Sequence, residues 1–444
     1  VSSLQTSTSI TQACRDFAID PEYSFIVQAR GATAMGAPGQ GRDVRLDMLR
    51  GMALVIIFVT HIPGLVFAGL TPRAFGFADA AEAFVLLAGL AAYFAYAPTF
   101  LHGEMGFSRM VRGTFPIFTR VWQLYITHVA LVLLITGILA YAAQRFGDPD
   151  YLESGGLDIL LSAPADAVRG IVTLTFLPHF LDILPLYILF LAGMPLVLLA
   201  MRVHWLVPVG ASLALYGWTQ FTWVNIPNIN ASSVWFFNPF AWQVLFVAGI
   251  VVSHLGATGR LDMLFARRWL VRAVTGLALA YVGFTFLAAG PWRQIGSLAN
   301  VEVLDVALLP LVDKTNLTPL RLLDAFAKFW LLAVLISRTA PWLASLPARL
   351  LILAGRHSLP VFVLGLVLST VATVITKETG YALWMQAVVV FAGTVVMIGF
   401  AGLLDWQARQ VKSEVAARAA QRPAPAATAP GALLATIAAE PSTK

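Results

Sequence analysis

The chain has 444 residues, 59% of them hydrophobic and 12% charged, against roughly 25% charged in ordinary soluble domains, which excludes a water-soluble enzyme. The net charge of +6 comes from basic residues dispersed between apolar segments rather than gathered on a patch, which speaks against a nucleic-acid partner and for membrane topology. Cys14 is the single cysteine, so intrachain disulfides and thiolate metal clusters are excluded, and no other residue pattern calls for a metal.

Residues 1–41 mix small and polar residues with Gly36, Pro38, Gly39 and Gly41 and carry no basic-then-apolar leader; the pattern predicts a flexible cytoplasmic tail. Apolar runs then predict membrane helices over 49–70, 79–100, 119–142, 180–201, 205–222, 238–255, 269–290, 321–338, 350–374 and 382–405, each near the ~20 residues a bilayer crossing needs. The fold expected is an all-α, polytopic integral membrane helix bundle of about ten transmembrane helices over residues 42–405. A cytoplasmic tail follows over 406–444, disordered from about 421 because its composition turns to Ala and Pro. With the N-terminus inside, 20 of the 29 Lys and Arg residues fall on the inner side and 7 outside, with Lys328 and Arg356 within spans. That asymmetry selects an N-in, C-in arrangement. Two outward loops are long, 143–179 with Asp148, Asp150, Glu153, Asp158 and Asp166, and 291–320 with Glu302, Asp305, Asp313 and Lys314; loops of this length often have a function.

The first span carries Asp47, Arg50 and His61. Eleven residues at ~1.5 Å and ~100° each take Arg50 to His61 over roughly 16 Å and about three turns, so the three share a helix face. Ionisable groups within a span usually mark a pathway or a site. A neutral imidazole at His61 can take a proton from a hydroxyl; it can equally hydrogen-bond a backbone carbonyl freed by Pro63. Asp79 and Glu82 begin the second helix three residues apart and Asp182 begins the fourth, with His179 just before it. These acids can converge with His61 on an outward cavity, or simply complement helix dipoles. Between the fifth and sixth spans lies an uncharged stretch with Asn225, Asn228, Asn230, Trp235, Phe236, Phe237 and Asn238, followed by Trp242 and Gln243. Rings beside amides suit a neutral sugar, and an interfacial aromatic belt accounts for the tryptophans as well. On the inner side, Arg50, Arg112 and Arg356 are the arginines placed to clamp phosphate or carboxylate.

Arg50, ten intervening residues, then His61, preceded by Leu46-Asp47-Met48-Leu49-Arg50-Gly51, resembles the basic-X10-His signature of the membrane acyltransferase family 3 superfamily. Within it, the sequence is similar to the OpgC branch, succinyltransferases of osmoregulated periplasmic glucans. The similarity is carried by His61-Ile-Pro63-Gly64, Asp79-Ala-Ala-Glu82-Ala-Phe84-Val85, Leu181-Asp182-Ile-Leu-Pro185-Leu-Tyr187, Phe236-Phe237-Asn238-Pro239-Phe-Ala-Trp242-Gln243, Asp313-Lys314-Thr315-Asn316-Leu-Thr-Pro-Leu-Arg321 and Gly355-Arg356-His357-Ser358-Leu359. One element departs: Ala88-Gly89-Leu90 stands where the family has Ser-Gly-aromatic.

The resemblance implies a multi-pass enzyme of the bacterial inner membrane that moves a succinyl group from cytoplasmic succinyl-CoA to glucose hydroxyls of a periplasmic glucan. It implies an acyl-CoA co-substrate, no tightly bound cofactor, the lipid bilayer as surroundings, and room for a homo-oligomer. His61, Asp79, Glu82 and Asp182 are then the catalytic group, with His61 as general base or acyl carrier. Asp47, Arg50, Arg112, His128 and Arg356 bind the donor, and Trp235, Asn238, Trp242, Gln243 and Asp313 the acceptor. The alternatives are acetyl or succinyl transfer to another envelope polysaccharide, and a proton- or anion-coupled transporter in which the same charges line a path.

Overall fold

The computed structural model describes residues 43–229, 234–289, 311–337 and 339–420. The expectations for both tails at 1–41 and 421–444, for Asn230, for Glu302 and Asp305, and for Arg338 therefore lie outside the described residues. The described chain is helical and, among these residues, has no strand beyond one isolated bridge between Pro227 and Val234. The principal helices are α1 (Val44–Thr60), α2 (Ala80–Leu101), α3 (Phe107–Phe146), α4 (Pro164–Thr173), α5 (Ile183–Val203), α6 (Leu206–Thr222), α7 (Pro239–Ala257), α8 (Arg268–Ala289), α9 (Pro319–Leu335), α10 (Leu346–Arg356), α11 (Ser358–Glu378) and α12 (Leu383–Ala420). Seven of them, α2, α3, α5, α7, α8, α11 and α12, are long and apolar enough to cross a membrane. An all-α membrane bundle results, since in lipid each backbone polar group must be satisfied within its own helix.

The chain separates into two units, residues 1–401 and 402–444. Two expected spans and one expected loop change shape. The first ends at Thr60, not 70, because Pro63 and the left-handed Gly64 (φ 74°) cannot continue a helix. Residues 350–374 form two helices, α10 and α11, that meet at His357. Pro360 falls in the first turn of α11, where its missing N–H costs nothing. The long loop 143–179 is itself structured, holding the turns Asp150–Glu153 and Ile159–Ser162 and the amphipathic α4.

Two helix crossings set the frame. On α1, the Gly51 Cα lies against the Leu351 carbonyl of α10, and Gly355 of α10 against the Asp47 carbonyl. On α2, Gly89 meets the Phe246 carbonyl of α7, while Gly249 of α7 meets that of Leu86. Small residues let backbones approach this closely, which is how helices gain packing in a solvent as apolar as themselves. Gly89, within the Ala-Gly-Leu departure from the resemblance, thus has a structural duty. Buried ring contacts complete the core around Trp242, Phe246, Phe58 and Phe100. Gly355→Val would drive a side chain into the Asp47 backbone, and we expect it to cost at least the ~1–3 kcal/mol of an overpacked core. Thermal unfolding in detergent checks this, with an unchanged midpoint counting against the tight crossing.

Candidate active site

Six ionisable groups gather where α1 ends and α2, α5 and α9 begin. Asp79 is the N-cap of α2: its Oδ1 accepts from the Ala81 N–H at 2.8 Å, and its own N–H donates to Glu82 Oε2 at 2.9 Å. This capping box satisfies two orphan donors reciprocally. The other Asp79 oxygen, Oδ2, accepts from Lys314 Nζ at 2.5 Å and lies 3.5 Å from an Arg321 nitrogen. Arg321 Nε in turn donates to Glu82 Oε1. Glu82 is 1% exposed and Arg321 8%. Two acids and two bases therefore close a buried circuit, which is the condition for keeping charges out of water.

His61 stands immediately past α1 as its C-cap. Its Nδ1 is 2.7 Å from the Ile57 carbonyl oxygen. A carbonyl can only accept, so Nδ1 carries the proton and the lone pair lies on Nε2. The ring packs 4.7 Å from that of Phe180, a residue held at φ 70°. A non-glycine residue there is strained, and such strain persists where surroundings dictate it. Three groups of the cluster flank the spans rather than lie within them, and their proton affinities differ. Burial pushes His61 down to about 4, against the Ile57 bond, with Lys314 lowering it further. Burial pushes Asp182 up to about 7, with Lys314 pulling it back. Burial also raises Asp79, but Lys314 and Arg321 together hold it below the usual carboxylate range. Lys314 is thus within electrostatic reach of all three.

Lys314 is carried on a loop fixed from several sides. Trp242 Nε1 donates to the carbonyls of Lys314 and Thr315, both at 3.1 Å. Asn238, the N-cap of α7, donates through Nδ2 to Asn316 Oδ1 at 2.8 Å and to the Val224 carbonyl at 2.7 Å. Asp313 accepts from the Asn316 backbone N–H at 2.6 Å. From α6, Tyr216 and Gln220 donate to the Leu317 and Asn316 carbonyls, each at 2.8 Å. The ammonium faces Phe236 and Phe237 at 5.8 and 5.6 Å from their centroids, favourable cation–π geometry. Asn238, Trp242 and Asp313, expected at an acceptor site, are thus the support of this lysine. Gln243 pairs with Ser212 of α6. Trp235 is 2% exposed, and its indole N–H has no partner among the described residues.

A second network holds the approach to Asp79. Asp324 of α9, fully buried, accepts through Oδ2 from the N–H groups of Phe77 and Ala78 at 2.8 and 2.7 Å, and through Oδ1 from Thr285 at 3.0 Å. Lys328 pairs with it at 2.7 Å and donates to the Ala78 carbonyl at 3.0 Å.

The expected donor-side residues divide. Asp47, 1% exposed, lies 3.9 Å from Arg50 and 4.0 Å from Arg356, and Arg50 donates to the Leu87 carbonyl at 2.7 Å. These three form one cluster at the opposite end of α1 from His61. Arg112 is exposed on α3 and donates to the Ser108 carbonyl at 3.3 Å. His128 is fully buried in α3, with neither ring nitrogen hydrogen-bonded among the described residues; neither residue joins the cluster. Between the two ends, Phe84, Val85 and Ala88 of α2 and Ile183, Leu186, Tyr187 and Phe190 of α5 line an apolar crevice of about 10 Å³. Tyr187 in this lining is within electrostatic reach of Arg50 and Arg120.

Sequence reasoning missed Lys314 and Arg321 as site groups. Both stand in the quoted Asp313–Arg321 stretch, but they were counted there only as charges that set topology. Removing Asp324 by substitution with Ala would strand a half-buried ammonium and two buried backbone N–H groups, and we expect a loss of ~2–5 kcal/mol. Hydrogen exchange should accelerate at Phe77 and Ala78. An Asp324→Ala variant with native protection at both amides would refute the clamp.

Residues 42–409 match the family model described as OpgC protein. No curated protein and no solved structure matches the chain.

Proposed function

The chain belongs to the OpgC family, and on that premise we propose that it is a membrane-bound O-acyltransferase of the bacterial inner membrane. It moves a succinyl group from cytoplasmic succinyl-CoA to glucose hydroxyls of a periplasmic glucan. The observation that carries this reading is the pairing of His61, its lone pair on Nε2, with a carboxylate–ammonium circuit at one end of α1. The arginine cluster Asp47–Arg50–Arg356 stands at the other.

An imidazole that is neutral near pH 7 is the form a general base needs. The Ile57 carbonyl orients it, as the third member of a triad orients its histidine, and Asp79 stabilises the imidazolium that forms. Arg50 and Arg356 offer planar donors to the phosphates of CoA. The ~16 Å rise along α1 between Arg50 and His61 is close to the reach of an extended pantetheine arm. The crevice between α2 and α5 is the direct route for that arm. At about 10 Å³ it holds roughly one water, so donor entry requires these helices to part. The sugar approaches from the His61 end, past the exposed rings of Phe180 and Phe236. Direct attack on the thioester by the hydroxyl needs no covalent enzyme intermediate, and His61 then acts as base and acid in turn.

Replacing His61 with Ala should leave a folded, membrane-inserted protein whose transfer rate falls by ~10²–10⁴-fold. Mass spectrometry of periplasmic glucans from cells carrying it would lack the added succinyl mass; wild-type succinylation would sink the assignment. Arg50→Ala should instead raise the KM for acyl-CoA about tenfold or more while sparing glucan affinity. Steady-state kinetics on detergent-solubilised protein separates the two, and an unchanged KM would remove Arg50 from the donor site.

A further inference from the structure

We propose that Lys314 is a catalytic residue of this transfer, donating from Nζ to the thioester carbonyl oxygen as negative charge develops on it. The inference rests on the acyltransferase reading and names the electrophile that reading leaves open.

The balance of charge selects it. When an acceptor hydroxyl attacks the thioester, the new C–O bond forms and the carbonyl π pair moves to its oxygen. The hydroxyl proton passes to His61 Nε2. Collapse re-forms the C=O bond and breaks the C–S bond, and the departing sulfur takes the proton from His61 to leave as a thiol. An imidazolium and an oxyanion thus coexist in a site shielded from water. The first faces Asp79, within electrostatic reach of His61. The second needs a cation in place before reaction, since preorganised donors pay no reorganisation cost at the transition state.

Two cations stand near, and they are not equivalent. The Arg321 side chain is 9% exposed and committed to Glu82 and Asp79. The Lys314 side chain is 28% exposed. Among the described residues its one hydrogen-bond partner is Asp79, which leaves two of three ammonium donors. Its position is dictated by five side chains that bind loop 313–318, from Trp242, Asn238, Asp313, Tyr216 and Gln220. That is more support than one surface ion pair requires, and it is what a group held to a fixed point in space requires. Lys314 also lies within electrostatic reach of His61 and Asp182, which sets base and electrophile at the same end of α1. A competing role, receiving the free carboxylate of the acyl group, would bring a permanent anion beside Asp79 and Glu82, which already engage both cations. A transient oxyanion balanced by the His61 proton adds no net charge.

The test uses full-length protein in detergent, with Lys314→Met and Lys314→Cys, the latter in a Cys14→Ser background and then aminoethylated to restore an ammonium. Single-turnover breakdown of succinyl-CoA in the presence of glucan gives the rate at saturation. Affinity for a succinyl-CoA analogue with methylene in place of sulfur reports ground-state binding. We expect both variants to lose ~10²–10³-fold in rate, with analogue Kd within threefold of wild type, and aminoethylation to restore at least tenfold. An unchanged rate overturns the proposal. So does a Kd weakened tenfold or more with the saturating rate kept, which would make Lys314 the receptor of the acyl carboxylate. A wild-type protein that transfers nothing while binding the analogue would fell the acyltransferase reading itself, an outcome distinct from either.

Discussion

The Asp79 carboxylate, shared between an N-terminal helix cap, an ammonium and a guanidinium, is the contact on which the rest of this structure depends. A carboxylate, a second carboxylate one turn on and a guanidinium are withdrawn from water here, and a partly exposed ammonium closes the set. Buried charge of this kind survives only when each member has partners, and removing one member strands the others. Geometry follows from that constraint. The start of α2 must meet the start of α9, because Glu82 and Arg321 pair across them. The loop before α9 must pass over the cap to deliver Lys314. Arg321, Asp324 and Lys328 succeed one another at spacings of three and four along α9, the spacing of one helix face. That face therefore holds both the acid circuit and the clamp on Phe77 and Ala78, so a single helix registers the whole entrance to α2.

Polar side chains beyond the circuit serve its placement. Asn238 and Trp242 turn their donors toward loop 313–318, and Tyr216 and Gln220 reach it from α6. A lysine is a flexible point charge; here the precision it lacks as a side chain comes from the backbone that carries it. The strained Phe180 plays a comparable part for His61, its ring closing one side of the imidazole.

Much of this was legible in the sequence, and the illegible part has a common cause. Local spacing revealed what lies within one helix or at its cap: the Asp47–Arg50 pair, the Asp79–Glu82 pair and the convergence of His61 with helix starts. Membrane class followed from apolar run length. Helix ends were less clear. The run through residue 70 stayed apolar, and composition overrode the stop that Pro63 and Gly64 write into the first span. Pro360 likewise marked a helix start that the apolar run around it hid. What local spacing could not show are hydrogen bonds between distant segments, such as Asn238 to Asn316. For that reason the support that the aromatic and amide stretch gives to loop 313–318 stayed hidden, and Lys314 and Arg321 read as topology charges. The sequence signal was present in Arg321, Asp324 and Lys328, three charges on one face of a helix whose other residues are largely apolar.

The interlocked glycines carry a mechanical consequence. Carbonyl-to-Cα packing at Gly51 and Gly355 joins α1 to α10, and that at Gly89 and Gly249 joins α2 to α7, so each pair moves as one plate with little freedom to slide. Of the two walls of the crevice, α2 belongs to such a plate and α5 does not. Pro195 sits within α5 and leaves the Leu191 carbonyl without its helical donor, a soft joint below the crevice wall. Flexure of α5 about that joint would widen the crevice without requiring the glycine-locked plates that bear Arg50 and Asp79 to slide.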